Sequence, residues 1–152
     1  MKKLKVLTKQ SNLMDVSIKY GKDRIRFNLY EELMVNENRI NEEIANQPTH
    51  YAFLSMLLVK LKRSMLDKKA QLDKIEKKLF LEFKQEIDRS TGRPFSNDMA
   101  ESSVVQTSSY KEALDSYLKA EEDHDTIKVA VESFSQRTSL IQTLSANIRK
   151  TN

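Results

Sequence analysis

The chain has no cysteine, no tryptophan, and only two glycines, two prolines and two histidines in 152 residues. Without cysteine there is no disulfide and no thiolate chemistry, and two histidines fall short of a usual zinc set. So few turn residues cannot supply the many chain reversals of a β or α/β domain of this length. The longest mostly apolar run, Tyr51 to Val59, is too short to span a bilayer, which takes about 20 residues. Lys5 and Lys9 interrupt any apolar signal core behind Lys2 and Lys3. A glycine-rich phosphate loop is missing, as is any nucleophile placed beside a base. The turn Ser90-Thr91-Gly92-Arg93 lacks the lysine and the strand context of a P-loop. These absences point to a soluble, cytoplasmic protein with no membrane span, no catalytic residues and no cofactor.

What is present is charge and helical periodicity. Charged residues make up 32% of the chain and aromatics 7%, a balance that fits long exposed helices. From Tyr110, steps of three and four give Tyr110, Ala113, Tyr117, Ala120, His124, Ile127, Val131, Phe134, Thr138, Ile141, Ser145 and Ile148. Neither Gly nor Pro interrupts this heptad, so it predicts one long helix whose stripe needs a partner. Tyr117, Ile127, Val131, Phe134, Ile141 and Ile148 are the expected oligomerisation residues. A second stripe runs through Leu54, Leu58, Leu61 and Met65, breaks at Lys68, and resumes at Leu72, Ile75, Leu79 and Phe83. It predicts a helix from Thr49, its cap, to about Asp88, roughly 60 Å long at the standard rise. Ile40 and Ile44 predict a short helical turn that stops before Pro48.

Arg89 to Asn97 is the one strong loop, with Ser96 or Asn97 as cap of a short helix through Val105. Thr107-Ser108-Ser109 is a cap or kink at the entry to the last helix. The resulting fold class is all-α: a long helical hairpin with heptad-patterned helices, oligomeric, plus an N-terminal arm or short strand segment. The alternation of Arg24-Ile25-Arg26-Phe27-Asn28-Leu29 is the strand signal. The expected division is 1–35, a basic arm, and 36–152, the hairpin that oligomerises and binds nucleic acid.

Charge falls in blocks. Residues 1–30 hold eight basic and two acidic residues, 31–58 one and five, 59–78 eight and three, 79–97 three of each, and 98–152 six and nine. Such segregation suggests a polyanion partner more than the net charge of +4 does. Lys60, Lys62, Arg63, Lys68, Lys69, Lys74, Lys77 and Lys78 crowd one helix, with Arg89 and Arg93 in the loop beyond it. Cation density of this kind neutralises phosphates and releases their counterions. The plainer reading is a solvated coiled-coil face, where lysine stems cover apolar surface. Phe80, Phe83 and Phe95 are core or base-stacking residues. The run Glu121-Glu122-Asp123-His124-Asp125 does not predict a metal site, because consecutive helical residues point in different directions.

Several features together resemble the phage recombination-mediator family (UvsY-like). Gln47-Pro48-Thr49-His50-Tyr51-Ala52 opens a long basic helix that ends at a short Gly/Arg loop. Glu101-Ser102-Ser103-Val104-Val105 follows, then Tyr110 and Tyr117, then Phe134-Ser135-Gln136-Arg137, Leu140, Leu144 and Arg149. The resemblance covers about residues 40–150 and rests on element order and a few anchors. It implies an all-α, ring-forming homo-oligomer that binds single-stranded DNA, holds it for a RecA-like recombinase and helps displace the single-strand-binding protein. The family's DNA-binding motif is a short Lys/Arg stretch late in the first long helix. Leu72-Asp73-Lys74-Ile75-Glu76-Lys77-Lys78-Leu79 is its nearest match, diluted by Asp73 and Glu76. Basic charge and heptads fit a second class equally: a coiled-coil scaffold or assembly chaperone that binds no nucleic acid.

Overall fold

A computed structural model of the protein describes residues 13–151. The chain divides into two compact units, Met1–Val59 with Asp125–Asn152, and Lys60–His124. Among the described residues, no helix is long and apolar enough to cross a membrane.

The first unit starts with an antiparallel hairpin, β1 (Asp15–Tyr20) and β2 (Asp23–Asn28). Gly21 has φ +61 and opens the two-residue turn, while Lys22 keeps a negative φ, the pattern of a type II′ turn that suits twisted strands. The register sets Val16 opposite Phe27 and Ile18 opposite Ile25 on one face. On the other face Ser17 lies opposite Arg26 and Lys19 opposite Arg24. Val16 and Ile18 are buried, so the apolar face is core. Asn28 ends the ribbon: its Nδ2 donates to Asp15 Oδ1 (2.6 Å) and its Oδ1 accepts from Glu31 N (3.1 Å), capping α1 (Leu29–Leu33).

A 3-10 turn at Glu37–Arg39, capped by the Asn36 side chain, leads into α2 (Ile40–Phe83). The break expected before Pro48 is absent, and Thr49 caps nothing. Pro48 lies inside α2 and withholds one N–H from the helical ladder. The helix persists because Glu43 and Gln47, one turn apart on the same face, are both held by Arg137. The last helix, α4 (Ser108–Thr151), is continuous as the heptad predicts. Within the first unit its buried positions are Ile127, Ala130, Phe134, Arg137 and Ile141, again in steps of three and four. Ala130 and Arg137 thus replace the expected Val131 and Thr138, which are half-buried.

The expected arm boundary at residue 35 does not coincide with either unit. Ile18 is 1% exposed, and Arg137 donates to the carbonyls of Leu33 (Nε, 3.1 Å) and Met34 (Nη2, 3.0 Å). Residues 13–35 are therefore part of a core-bearing unit, not an appendage to one. The expectations for residues 1–12 lie outside the described residues.

In the second unit α2 stops at Phe83, short of the expected Asp88, because the chain turns into a small hairpin. Its strands are β3 (Ile87–Asp88) and β4 (Arg93–Pro94). Asp88 ties the loop: its carboxylate accepts from Ser90 N (2.9 Å), Ser90 Oγ (2.7 Å) and Thr91 Oγ1 (2.9 Å). The Ser90 backbone N–H, then the two hydroxyls, hold this carboxyl below the usual range. Gly92, at φ +66, takes the left-handed position the turn needs. Of the two expected caps, Ser96 and Asn97, it is Ser96 that caps α3 (Asn97–Val104), its Oγ accepting from Met99 N (3.2 Å). Ala100 and Val104 are buried on one face of α3.

Candidate nucleic-acid interface

The cation-rich part of α2, Lys60 to Lys78, lies wholly in the second unit, as do Arg89 and Arg93 of the hairpin loop. Lys60, Lys62, Arg63, Lys69, Lys74, Lys77, Lys78, Arg89 and Arg93 are exposed, and Lys68 is half-buried. Helical geometry explains the difference. Leu61 and Leu72 are buried, eleven residues apart and so close to three full turns. Lys68, seven after Leu61 and four before Leu72, lies on that apolar stripe. Arg63 and Lys74 repeat the same three-turn spacing on the outward side, and Lys60 and Lys78 are five turns apart.

Carboxylates interrupt this face. Arg63 Nε pairs with Asp67 Oδ1 (3.1 Å), and Lys78 Nζ with Glu82 Oε1 (3.8 Å). Both pairs are exposed i,i+4 contacts of the class worth about 0.3–0.5 kcal/mol. A phosphate that approaches can exchange for such a carboxylate at little cost. Lys62, Lys69, Lys74 and Lys77 have no ionic partner among the described residues. Of these four, Lys77 lines a groove of about 650 Å³, together with Glu76, Phe80, Leu81, Glu101 and Val104–Val105. Phe80 is half-buried there, next to Lys77. Phe83 and Phe95 are half-buried too, and the Phe95 carbonyl accepts from Lys84 Nζ (2.6 Å).

The expected oligomerisation residues divide. Ile127, Phe134 and Ile141 are buried within the chain itself, whereas Tyr117, Val131 and Ile148 are half-buried. The three buried side chains belong to the core of the first unit. Other large apolar side chains stay at the surface of that unit: Met56 and Val59 of α2 are 64% and 70% exposed, and Val129 and Leu140 of α4 about half exposed. The acidic stretch of α4 is braced locally. Lys119 bridges Glu122 (3.1 Å) and Asp123 (3.2 Å), and its ammonium is raised above the usual range by the Glu122 hydrogen bond first and the Asp123 one second. Among the described residues no group of His, Cys, Asp and Glu could hold a metal.

A buried side chain with four hydrogen bonds, Arg137, enters the sequence reading only as part of an anchor of the resemblance, with no role assigned. Buried Arg137 donates from Nη1 to Gln47 Oε1 (2.5 Å) and from Nη2 to Glu43 Oε2 (2.5 Å), besides its two carbonyl bonds. Gln47 Nε2 donates in turn to the Phe134 carbonyl (2.7 Å) and to Thr138 Oγ1 (3.0 Å). Burial pushes the Glu43 carboxyl up, but the Arg137 and Asn36 hydrogen bonds and the Arg137 charge outweigh it and hold the group below its ordinary value. With each of these acceptors supplied from within the chain, this knot has a structural role. No protein-family model matches the chain, and neither a curated protein nor a solved structure does.

Proposed function

We propose that the protein is a non-catalytic, single-stranded-DNA-binding recombination mediator that works as a homo-oligomer. The observation that supports DNA binding is the outward cation face of α2, with Lys62, Lys69, Lys74 and Lys77 free of carboxylate partners among the described residues. Such a face attracts backbone phosphates without regard to base sequence, and copies of it in an oligomer would act on one strand together. The mediator role, which is to load a RecA-like recombinase and help displace the single-strand-binding protein in the host cytoplasm, comes from the resemblance over residues 40–150. Met56, Val59, Val129 and Leu140 are the apolar side chains available for contact between subunits.

The same exposed apolar residues also favour a second reading, a coiled-coil scaffold or assembly chaperone indifferent to nucleic acid. Fluorescence titration with a labelled single-stranded oligodeoxythymidylate at several salt concentrations separates the two. The mediator reading expects an affinity that falls linearly with salt on logarithmic axes. Absence of binding at low salt would assign the protein to the scaffold class.

A further inference from the structure

The outward face of the β1–β2 ribbon carries an arrangement that folding alone does not favour. Lys19 and Arg24 are directly opposite each other across the strands, and Arg26 is the next outward residue along β2. Like charges so placed repel, since side chains directly opposite in an antiparallel pair have Cβ atoms about 5 Å apart. Lys22 adds a fourth cation in the turn. All four are exposed, and none has an ionic partner among the described residues; Arg24 Nη1 reaches only Ser17 Oγ (3.2 Å). Around the β2 edge from this face, on the side to which Ile25 and Phe27 point, is a cleft of about 400 Å³, within the range of small-ligand sites. Arg26 forms part of its wall, with Ile25, Phe27, Glu32, His50 and Phe53 among the others. Deeper in the unit the His50 ring stacks on Phe134, with centroids 6.0 Å apart and planes 7° from parallel.

We propose that ribbon and cleft together form a second single-strand site: Lys19, Arg24 and Arg26 hold backbone phosphates, and the cleft takes one base against Phe27, Phe53 and His50. Charge decides which part of a nucleotide goes where. Glu32 lies 3.9 Å from His50 Nδ1 and gives the cleft a carboxylate, which repels a phosphate and accepts a hydrogen bond from a base N–H. The phosphates therefore stay on the cationic face outside. Aromatic walls beside cations are the common means of holding single strands with little sequence preference. This site belongs to the first unit and is built from residues other than those of the α2 cation face.

The inference rests on the single-strand-binding reading, and the test keeps the two apart. Two probes of equal length are titrated at several salt concentrations: labelled oligodeoxythymidylate and the corresponding abasic oligomer. Lys19→Thr/Arg24→Thr/Arg26→Thr removes the cations and keeps residues that suit strands. It should flatten the salt slope by about 0.7 for each phosphate no longer held, on both probes. Phe53→Ala, at a side chain already 54% exposed, should weaken thymidylate binding about tenfold and leave the slope and abasic affinity unchanged. Wild-type slopes in the triple variant would overturn the ribbon, and so would a Phe53→Ala protein that loses affinity only together with oligomer mass. If the α2 lysines prove necessary for binding and these residues do not, this inference alone falls. If the unaltered protein binds neither probe, the single-strand reading falls with it.

Discussion

Arg137 and Gln47, ninety positions apart in sequence, share a 2.5 Å hydrogen bond from Nη1 to Oε1. Because Glu43 lies one turn before Gln47, the same guanidinium fixes two successive turns of α2 and, through Leu33 and Met34, the chain that leads into it. Arg137→Ala would leave four buried or half-buried acceptors without a donor. Removing one member of such a buried network costs about 3–5 kcal/mol. Glu43 keeps some contact with water, so the lower end applies, about 3 kcal/mol. Urea unfolding followed by circular dichroism measures it, and a loss below about 1 kcal/mol would mean that water replaces the guanidinium.

The depressed carboxyl of Glu43 gives the fold an acid dependence with a fixed sign. A carboxylate whose folded pKa lies below its unfolded value stabilises the fold above that unfolded value, ordinarily near 4.3. This contribution is lost as pH falls from there through the folded value. Glu43→Gln keeps a hydrogen-bond acceptor for Arg137 but has no proton to take up. The stability difference between the natural protein and the variant should be constant around neutral pH and shrink below about pH 4.3. Equal acid slopes in the two proteins would show that Glu43 is not linked to folding.

Ile18 tests whether the ribbon is core. It is almost wholly buried on the face shared with Val16, so Ile18→Ala should cost about 2–4 kcal/mol. For the same reason, deleting residues 1–28 should destabilise the first unit, where the arm expectation would leave folding intact. Thermal melts of both variants at wild-type midpoint would restore the arm.

Helix existence is legible where a pattern is long. The uninterrupted periodicity from Tyr110 predicts α4, and Ser96 or Asn97 predicts the start of α3, where Ser96 is the cap. Local rules fail where tertiary bonds override them. Pro48 reads as a stop, but the Arg137 clamp on Glu43 and Gln47 just before it keeps α2 going. The heptad places the buried stripe of α4 one residue off at alternate positions, because hydropathy prefers Val131 to Ala130 and rejects an arginine. A buried Arg137 makes sense only with its acceptors in view, and those lie about ninety to a hundred residues away. The cations of the candidate site can be read directly, since lysines spaced along a helix stay at its surface. Their counterparts on the ribbon cannot, because the cross-strand register of Lys19 and Arg24 depends on the turn at Gly21.

Assembly is open to a surface test. Val129 and Leu140 are eleven residues apart, three turns of α4, and both are exposed. Val129→Glu/Leu140→Glu should lower the mass seen by light scattering while helicity is retained, because neither side chain is core. Ile141→Asp should behave differently: it buries a charge within the chain and should cost several kcal/mol and lose helicity. An unchanged mass in the double variant would place the subunit contact elsewhere, with Met56 and Val59 the next candidates.

The α2 lysines carry the proposed function most directly. Lys74, Lys77 and Lys78 are exposed, and the spacings of three and four let them share one face. Of the three, Lys78 alone has an ion-pair partner among the described residues, Glu82, at 3.8 Å, so the face is only partly neutralised. Lys74→Ala/Lys77→Ala/Lys78→Ala keeps strong helix formers and should leave helicity intact, which circular dichroism checks. Binding of single strands should weaken to a similar extent for different base sequences. The salt slope should flatten by about 0.7 for each phosphate released, hence by about 2 if all three lysines meet phosphates. A folded triple variant with wild-type affinity and slope would move the phosphate-binding residues away from this end of α2. The remaining candidates would then be the earlier cations of α2, Arg89 and Arg93, and the ribbon, and loss of binding in Lys19→Thr/Arg24→Thr/Arg26→Thr would single out the ribbon.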